Sequence, residues 1–298
     1  MMTGATGFLG RPLVERLAAA GHRIVVLTRR LRGLAAAREV LWEPDGRSGQ
    51  WSDCLNGADA VIHLAGESIA AHRWTTDRKA ALVRSRVDAT RSLVAGIERA
   101  ASRPQLLISA SAVGYYGPHG DERLTEASAP GQDFLATLCV DWETHARSAE
   151  ALGVRVVTLR SGLVLGPGGG ALKPMLLPFR LGVGGPLGSG RQYWPWIHRD
   201  DWLSLVAWLL HQPDVTGPLN LTGPAPCTNE EFSRTLARVL HRPCVFRAPA
   251  FALRAAAGEL ADALMLTGQR AYPERALAMG FRFAYEDLGR ALGQILGK

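Results

Sequence analysis

The chain has 298 residues, 47% of them hydrophobic and 20% charged, with a formal net charge of +7. That length buries a full core and suits one large α/β domain with a smaller appendage, and no apolar run reaches the roughly 18 residues that would suggest a membrane span. Only Lys79, Lys173 and Lys298 are lysines, and the arginines are scattered among acids instead of forming a basic tail or stripe. The charge therefore argues against a nucleic-acid module and fits attraction for a phosphorylated small ligand.

Thr3-Gly4-Ala5-Thr6-Gly7-Phe8-Leu9-Gly10 is a GxxGxxG loop that runs directly into a helix-compatible stretch at residues 11–20. Glycines at these intervals let the backbone turn out of a strand, approach a pyrophosphate and pack the new helix against a sheet, with helix N-terminal amides facing the phosphates. A strand of about five residues should precede such a loop. Only Met1 and Met2 do, so the first strand is expected to be truncated here and to begin earlier in the natural protein. Residues 22–28 read as the second strand, 38–42 as the third, and 60–66 as a buried fourth ending in small residues. A polar helix is expected over 76–101, a fifth strand over 105–110, a helix over 133–152 and a sixth strand over 154–160. Strands alternating with helices need right-handed crossovers and give a doubly wound parallel sheet, an α/β Rossmann architecture.

Residues 166–196 are rich in Gly and Pro and read as one long irregular loop with a functional purpose. Beyond it the chain reads as helical at 200–211, 229–241 and 249–265, closed by a short terminal unit at 269–298. The expected division is a dinucleotide-binding domain over 1–165, a substrate-side region over 166–248 and a small C-terminal domain over 249–298. Cys54, Cys139, Cys227 and Cys244 lie far apart with no CxxC pair, as reduced thiols of a cytoplasmic protein would, and no signal peptide is visible.

The second strand ends at Thr28-Arg29-Arg30, where an NAD-specific protein places an acid against the ribose hydroxyls. A cation suits a 2′-phosphate instead, so the expected cofactor is NADP(H). Leu64-Ala65-Gly66, ending the fourth strand, would run beneath that cofactor, where small residues permit close approach. After the fifth strand, Ser109-Ala110-Ser111-Ala112-Val113-Gly114-Tyr115-Tyr116-Gly117 sets hydroxyls at the carboxyl end of a parallel strand, facing the ligand crevice. Ser111 could hold a reacting oxygen there while Tyr115 or Tyr116 supplies a proton. The competing reading has the serines capping backbone and the tyrosines packing. His198 with Asp200 and Asp201 lacks a full ligand set, so no metal is expected and a domain-joining turn is.

Taken together, the loop at 3–10, Trp42-Glu43-Pro44, residues 57–68, Arg73-Trp74-Thr75, Ser85-Arg86-Val87 and residues 108–117, 160–170, 178–198 and 258–280 resemble the extended short-chain dehydrogenase/reductases. Within them the chain is similar to the NAD-dependent epimerase/dehydratase family and its sugar-nucleotide-epimerase-like subgroup, whose C-terminal domain has no assigned function. The resemblance spans essentially the whole chain. It implies that Gly4, Gly7 and Gly10, with Thr6, Phe8 and Leu9 between them, hold the pyrophosphate, that Thr28 and Arg29 take the 2′-phosphate end, and that Leu64, Ala65 and Gly66 flank the cofactor. Arg86, standing where the wider superfamily has an Asn, looks like a further cofactor contact, and Val164 falls near the nicotinamide side.

The same resemblance exposes a departure. The Tyr and Lys that such enzymes carry on the helix after the fifth strand correspond to Leu135 and Cys139, and neither can take the role. The activity implied is hydride transfer between NADP(H) and a small polar or nucleotide-sugar substrate, lying in the crevice between the sheet and the C-terminal region. The alternative is a non-catalytic NADP(H)-binding regulator or redox sensor. A homo-oligomer is left open.

Overall fold

The computed structural model describes residues 1–298. Seven parallel strands form its central sheet: β1 (Met2–Thr3), β2 (Val25–Thr28), β3 (Arg38–Leu41), β4 (Ala60–His63), β5 (Leu106–Ala112), β6 (Arg155–Ser161) and β7 (Gly217–Leu221). Their spatial order is β7-β6-β5-β4-β1-β2-β3, so the winding direction reverses between β1 and β4. In such sheets ligands bind outside the carboxyl ends of the strands at this switch point. Although β1 is only two residues long, Met2 pairs with both Val26 and Ile62 and is buried, so the central position is filled.

The helices that matter for the site are α1 (Gly10–Ala19), α2 (Thr76–Arg99), α3 (Phe134–Arg147), α4 (Leu172–Arg180), α5 (Arg199–Leu209), α6 (Asn229–Val239) and α7 (Ala250–Ala257). One sheet face packs on α1 and α5 through Leu13, Val14, Leu17, Trp202, Leu203 and Val206. The other packs on α2 and α3 through Leu93, Ile97 and Ala146. Because helices cover both faces, β4, β5 and β6 are nearly continuous apolar runs, which is why they were legible as buried strands. Side-chain caps set the starts of several helices, among them α2, where Thr75 accepts from Arg78 N, α3, where Asp133 accepts from Ala136 N, and α6, where Thr228 forms a capping box with Glu231. A third apolar cluster joins α6 to the C-terminal helix Leu288–Leu296. No helix is long and apolar enough to cross a membrane.

Four expectations change. β7 stands where only helix was anticipated beyond residue 196; its Pro218 masks a strand pattern, and it is tolerated because β7 is the sheet edge. The Gly/Pro-rich stretch contains α4, which turns Leu172 and Phe179 inward despite Pro178, and its end pairs Trp196–His198 with the short strand Leu163–Leu165. The helix anticipated at 249–265 breaks at Gly258, whose φ of +63° favours glycine, into α7 and two short turns. That anticipated at 133–152 finishes as the 3-10 turn Ser148–Leu152.

Candidate functional site

A cleft of about 240 Å³ opens at the switch point, lined by residues 4–7, 26–29, 64–67, Trp42, Pro44, Ser85 and Ala89. Its narrowness depends on two glycines. A Cβ on Gly4, whose φ is +67°, would lie 2.6 Å from the Leu64 carbonyl carbon, and one on Gly10 would lie 2.2 Å from the Gly4 oxygen. The loop therefore lies flat against β4 and the start of α1. No side chain caps that helix start; Arg11 N–H is taken by the Gly7 carbonyl at 3.1 Å and Pro12 has no N–H, so the Leu9 and Gly10 amides are the ones left for an anion.

The floor of the cleft is held by a buried hydroxyl and imidazole relay. Thr3 Oγ1 accepts from the amides of Leu64 and Ala65, both at 3.2 Å, and lies 2.7 Å from His63 Nδ1. Thr90 Oγ1 donates to the Arg86 carbonyl at 2.7 Å, leaving a lone pair for His63 Nε2–H at 3.1 Å. These bonds select the Nε2–H tautomer with Thr3 donating to Nδ1. Burial, reinforced by the Arg86 charge, pushes the His63 pKa down to about 3, so the ring is neutral.

Arg86 braces the same floor from below. It is buried, donates to the Glu67 carbonyl at 2.8 Å and to Leu82 O and Ser85 Oγ at 3.2 Å each, and lies over the Trp142 ring at 5.3 Å. Its guanidinium carbon would sit 3.3 Å from a Cβ on Gly66. At the opposite end Thr28 folds back on its own turn, donating to Arg30 O at 2.7 Å. Arg29 is exposed on the cleft wall and makes no hydrogen bond or ion pair within the protein.

The structure thus gathers Gly4, Thr6, Gly7, Thr28, Arg29, Leu64, Ala65 and Gly66 around one cleft. Gly10 and Arg86 stand behind its wall. Phe8 turns away: its ring fills the space beside Gly169, where a Cβ would come within 2.5 Å, and lies 5.4 Å from the Arg199 guanidinium. Leu9 and Val164 pack in the core under α1 and α5. Glu67 lies at the rim, and Trp42, Pro44, Ser85 and Ala89 also line the cleft and were not read as site residues. Trp42 and Pro44 immediately follow β3, and that position was the available signal.

A second constellation sits at the carboxyl end of β5. Ser111 Oγ donates to Glu143 Oε1 at 2.7 Å, and Glu143 receives both Nε and Nη2 of Arg160 at 2.9 Å. The two charged side chains are 7% and 4% exposed, so this is a bidentate ion pair in the interior. The Arg160 guanidinium lies 3.4 Å from the centroid of the Tyr115 ring. Tyr115 is half-buried, and its hydroxyl has no partner within the protein.

Tyr116, read as an equal candidate for proton supply, is placed differently. It is fully buried, donates to Asn220 Oδ1 at 2.7 Å and accepts from Arg160 Nη1 at 3.2 Å, and burial pushes its pKa up to about 12. It belongs to the supporting network. The signal for the Glu143–Arg160 pair was an arginine ending the otherwise apolar run of β6.

Leu135 and Cys139 face Gly114, where a Cβ would lie 3.4 Å from Leu135 Cβ and 3.9 Å from the Cys139 sulfur. Burial, with a further push from the Glu143 charge, raises the Cys139 pKa to about 12, so it stays a thiol. His198 accepts from Asp200 N at 3.1 Å, which puts its proton on Nε2, 2.9 Å from Gln294 Oε1. It caps α5. No cluster of three or more His, Cys, Asp or Glu side chains is arranged to hold a metal.

Residues 1–221 match the NAD dependent epimerase/dehydratase family model, and residues 248–295 match a domain of unknown function, DUF1731. The epimerase family protein Mb2239 of Mycobacterium bovis is 43% identical over 293 residues, covering 98% of this chain and 95% of that protein. The crystal structure of human epimerase family protein SDR39U1 (isoform 2) with NADPH matches at a TM-score of 0.90 and 35% identity, over 100% of this chain and 98% of that one. The nucleoside-diphosphate sugar epimerase from Corynebacterium glutamicum matches at 0.81 and 32% identity, over 99% of this chain and 57% of that one.

Proposed function

The chain belongs to the NAD dependent epimerase/dehydratase family, and from that membership we propose an NADP(H)-dependent oxidoreductase or epimerase-like enzyme acting on a small polar substrate, nucleotide sugars among them. The observation that carries the reading is the cleft. Its glycines leave room only for backbone, the Leu9 and Gly10 amides at the start of α1 are unpaired, and Arg29 supplies an unpaired cation where a 2′-phosphate would lie. The human relative bound to NADPH supports the same choice. When bound, the nicotinamide supplies or accepts the hydride.

The protein's own part is proton handling and orientation. Because Ser111 gives its hydrogen to Glu143, its oxygen offers lone pairs, and it accepts a hydrogen bond from a substrate hydroxyl. Tyr115, with a free hydroxyl on the half-exposed side, passes the proton to a substrate oxygen in reduction and takes it back in oxidation. Arg160 stacked on the Tyr115 ring and Tyr116 set edge-on at 5.4 Å hold that ring in place. The test is single-turnover oxidation of bound NADPH against a panel of carbonyl compounds and nucleotide sugars. An active substrate should lose roughly 100-fold or more in rate in Tyr115→Phe, with NADPH affinity kept; an unchanged rate refutes the role of Tyr115.

A second reading, an NADP(H)-binding regulator or redox sensor without turnover, is favoured by Leu135 and Cys139 at the places of the usual Tyr and Lys. Tight NADPH binding with no oxidation by any compound in the panel would support it.

A further inference from the structure

Most of the large hydrophobic side chains exposed on this protein gather in adjoining segments. Leu31 follows β2 and Leu41 ends β3, whereas Leu177, Leu181, Val183, Val245, Phe246 and Phe251 belong to α4, the turn after it, the run leading to α7, and α7 itself. A Cβ on Gly182 would lie 3.6 Å from the Pro243 ring, Ala248 N donates to Pro186 O at 2.9 Å, and Gly188 N donates to Ala248 O at 2.8 Å. The turn and the run therefore lie side by side. α4 sends Leu172 and Phe179 inward but leaves Leu177 and Leu181, one turn apart, in solvent, and no residue of the apolar α7 is buried. Single exposed leucines need no explanation, but a contiguous set marks a contact surface.

Charge on these segments has one sign. No Asp or Glu occurs between Glu150 and Asp200, or between Glu231 and Glu259. Lys173 and Arg180 of α4, and Arg242 beside Pro243, are exposed and make no ion pair within the protein. The flanking acids are already engaged: Glu230 with Arg234 at 2.6 Å and Arg247 at 3.0 Å, Glu259 with Lys79 at 2.5 Å, and Asp262 with Arg254 at 2.9 Å. An occupant of this face has to supply anions and an apolar medium together. A second copy of the chain does not, because two-fold pairing would set Lys173, Arg180 and Arg242 against their own kind with no free acid to meet them. A nucleic-acid backbone supplies the anions but leaves Val245, Phe246 and Phe251 in water. The surface of an anionic bilayer supplies both.

We propose that α4, the turn after it, residues 242–247 and α7 form a peripheral docking face for anionic membrane, with the exposed apolar side chains entering the headgroup region and Lys173, Arg180 and Arg242 lying at the lipid phosphates. The contact rests on the bilayer without crossing it, and it is independent of the reading of the dinucleotide cleft. Sedimentation of the full chain with vesicles of phosphatidylcholine alone, and of equimolar phosphatidylcholine and phosphatidylglycerol, tests it. Binding to the mixed vesicles, weakened by salt, and binding at least tenfold weaker to phosphatidylcholine are expected. Arg180→Gln and Arg242→Gln should each weaken mixed-vesicle binding roughly fivefold, whereas Arg23→Gln, at an exposed cation ahead of β2, should leave it unchanged. Phe246→Ser combined with Phe251→Ser alters no charge and should cost tenfold or more, at a melting temperature near the wild-type value because both side chains are exposed. No binding to the mixed vesicles, equal binding to both kinds, or a loss in Arg23→Gln equal to that in Arg180→Gln would each overturn the proposal. So would mixed-vesicle binding that survives the double Phe substitution, or a wild-type dimer that this substitution dissociates.

Discussion

Removing one partner of the Glu143–Arg160 pair should be among the most damaging single changes away from the dinucleotide cleft. Both side chains are nearly inaccessible, and Glu143 also receives Ser111 Oγ. Glu143→Gln leaves a guanidinium whose charge no carboxylate balances, and Arg160→Met leaves a buried carboxylate with one hydroxyl. Breaking a buried pair this way costs about 3–5 kcal/mol. With an unfolding entropy of about 2.1 cal/mol/K per residue, a chain of 298 residues changes by about 0.6 kcal/mol per degree, so each variant should melt roughly 5–8 °C lower. The double variant buries neither charge and should cost clearly less than the two singles added together. Calorimetric melting at neutral pH reads the shifts, and NADPH titration should stay near the wild-type value because neither residue lines the cleft. Single losses under about 1 kcal/mol, the range of an exposed pair, or strict additivity in the double variant, would refute the claim that this is a desolvated, coupled pair.

Two further outcomes follow from the packing of the cleft. His63 is neutral in the fold, with its pKa lowered from 6.5 to about 3. Below pH 6.5 the unfolded chain therefore binds a proton that the folded chain refuses, and stability falls as pH drops through that window by up to about 1.4 kcal/mol per pH unit. Urea midpoints should show His63→Leu less stable at neutral pH yet with a shallower acid slope; parallel slopes would contradict the buried neutral ring. Gly10→Ala would bring a Cβ to 2.2 Å from the Gly4 oxygen, so it should cost about 1–3 kcal/mol and weaken NADPH binding. Gly120→Ala, with nothing within 4 Å, is the matched control and should change neither.

The parts of the site legible in the sequence are those set by local chemistry. The glycine spacing, the Arg29 that replaces an acid after β2, and the apolar runs of β4, β5 and β6 each carry their meaning within a few residues. What escaped depends on partners far along the chain. Tyr115 and Tyr116 are indistinguishable as neighbours, and only Asn220, 104 residues away, shows which hydroxyl is taken. Arg86 faces the carbonyl of Glu67, 19 residues back, and so supports the floor from behind. β7 and α4 were hidden because Pro218, Pro174 and Pro178 look like breaks until the sheet edge and the apolar cluster around Phe179 give those segments a place.

The most direct test of an NADP(H) cleft is a comparison of NADPH and NADH dissociation constants, measured by calorimetry, for the wild-type chain and Arg29→Ala. The unpaired guanidinium predicts a preference for NADPH and a roughly tenfold loss of NADPH affinity in the variant, at the low end of a charge-assisted contact because the site is open to solvent. NADH affinity should hold. Equal losses for both cofactors, or no preference in the wild-type chain, would contradict the account.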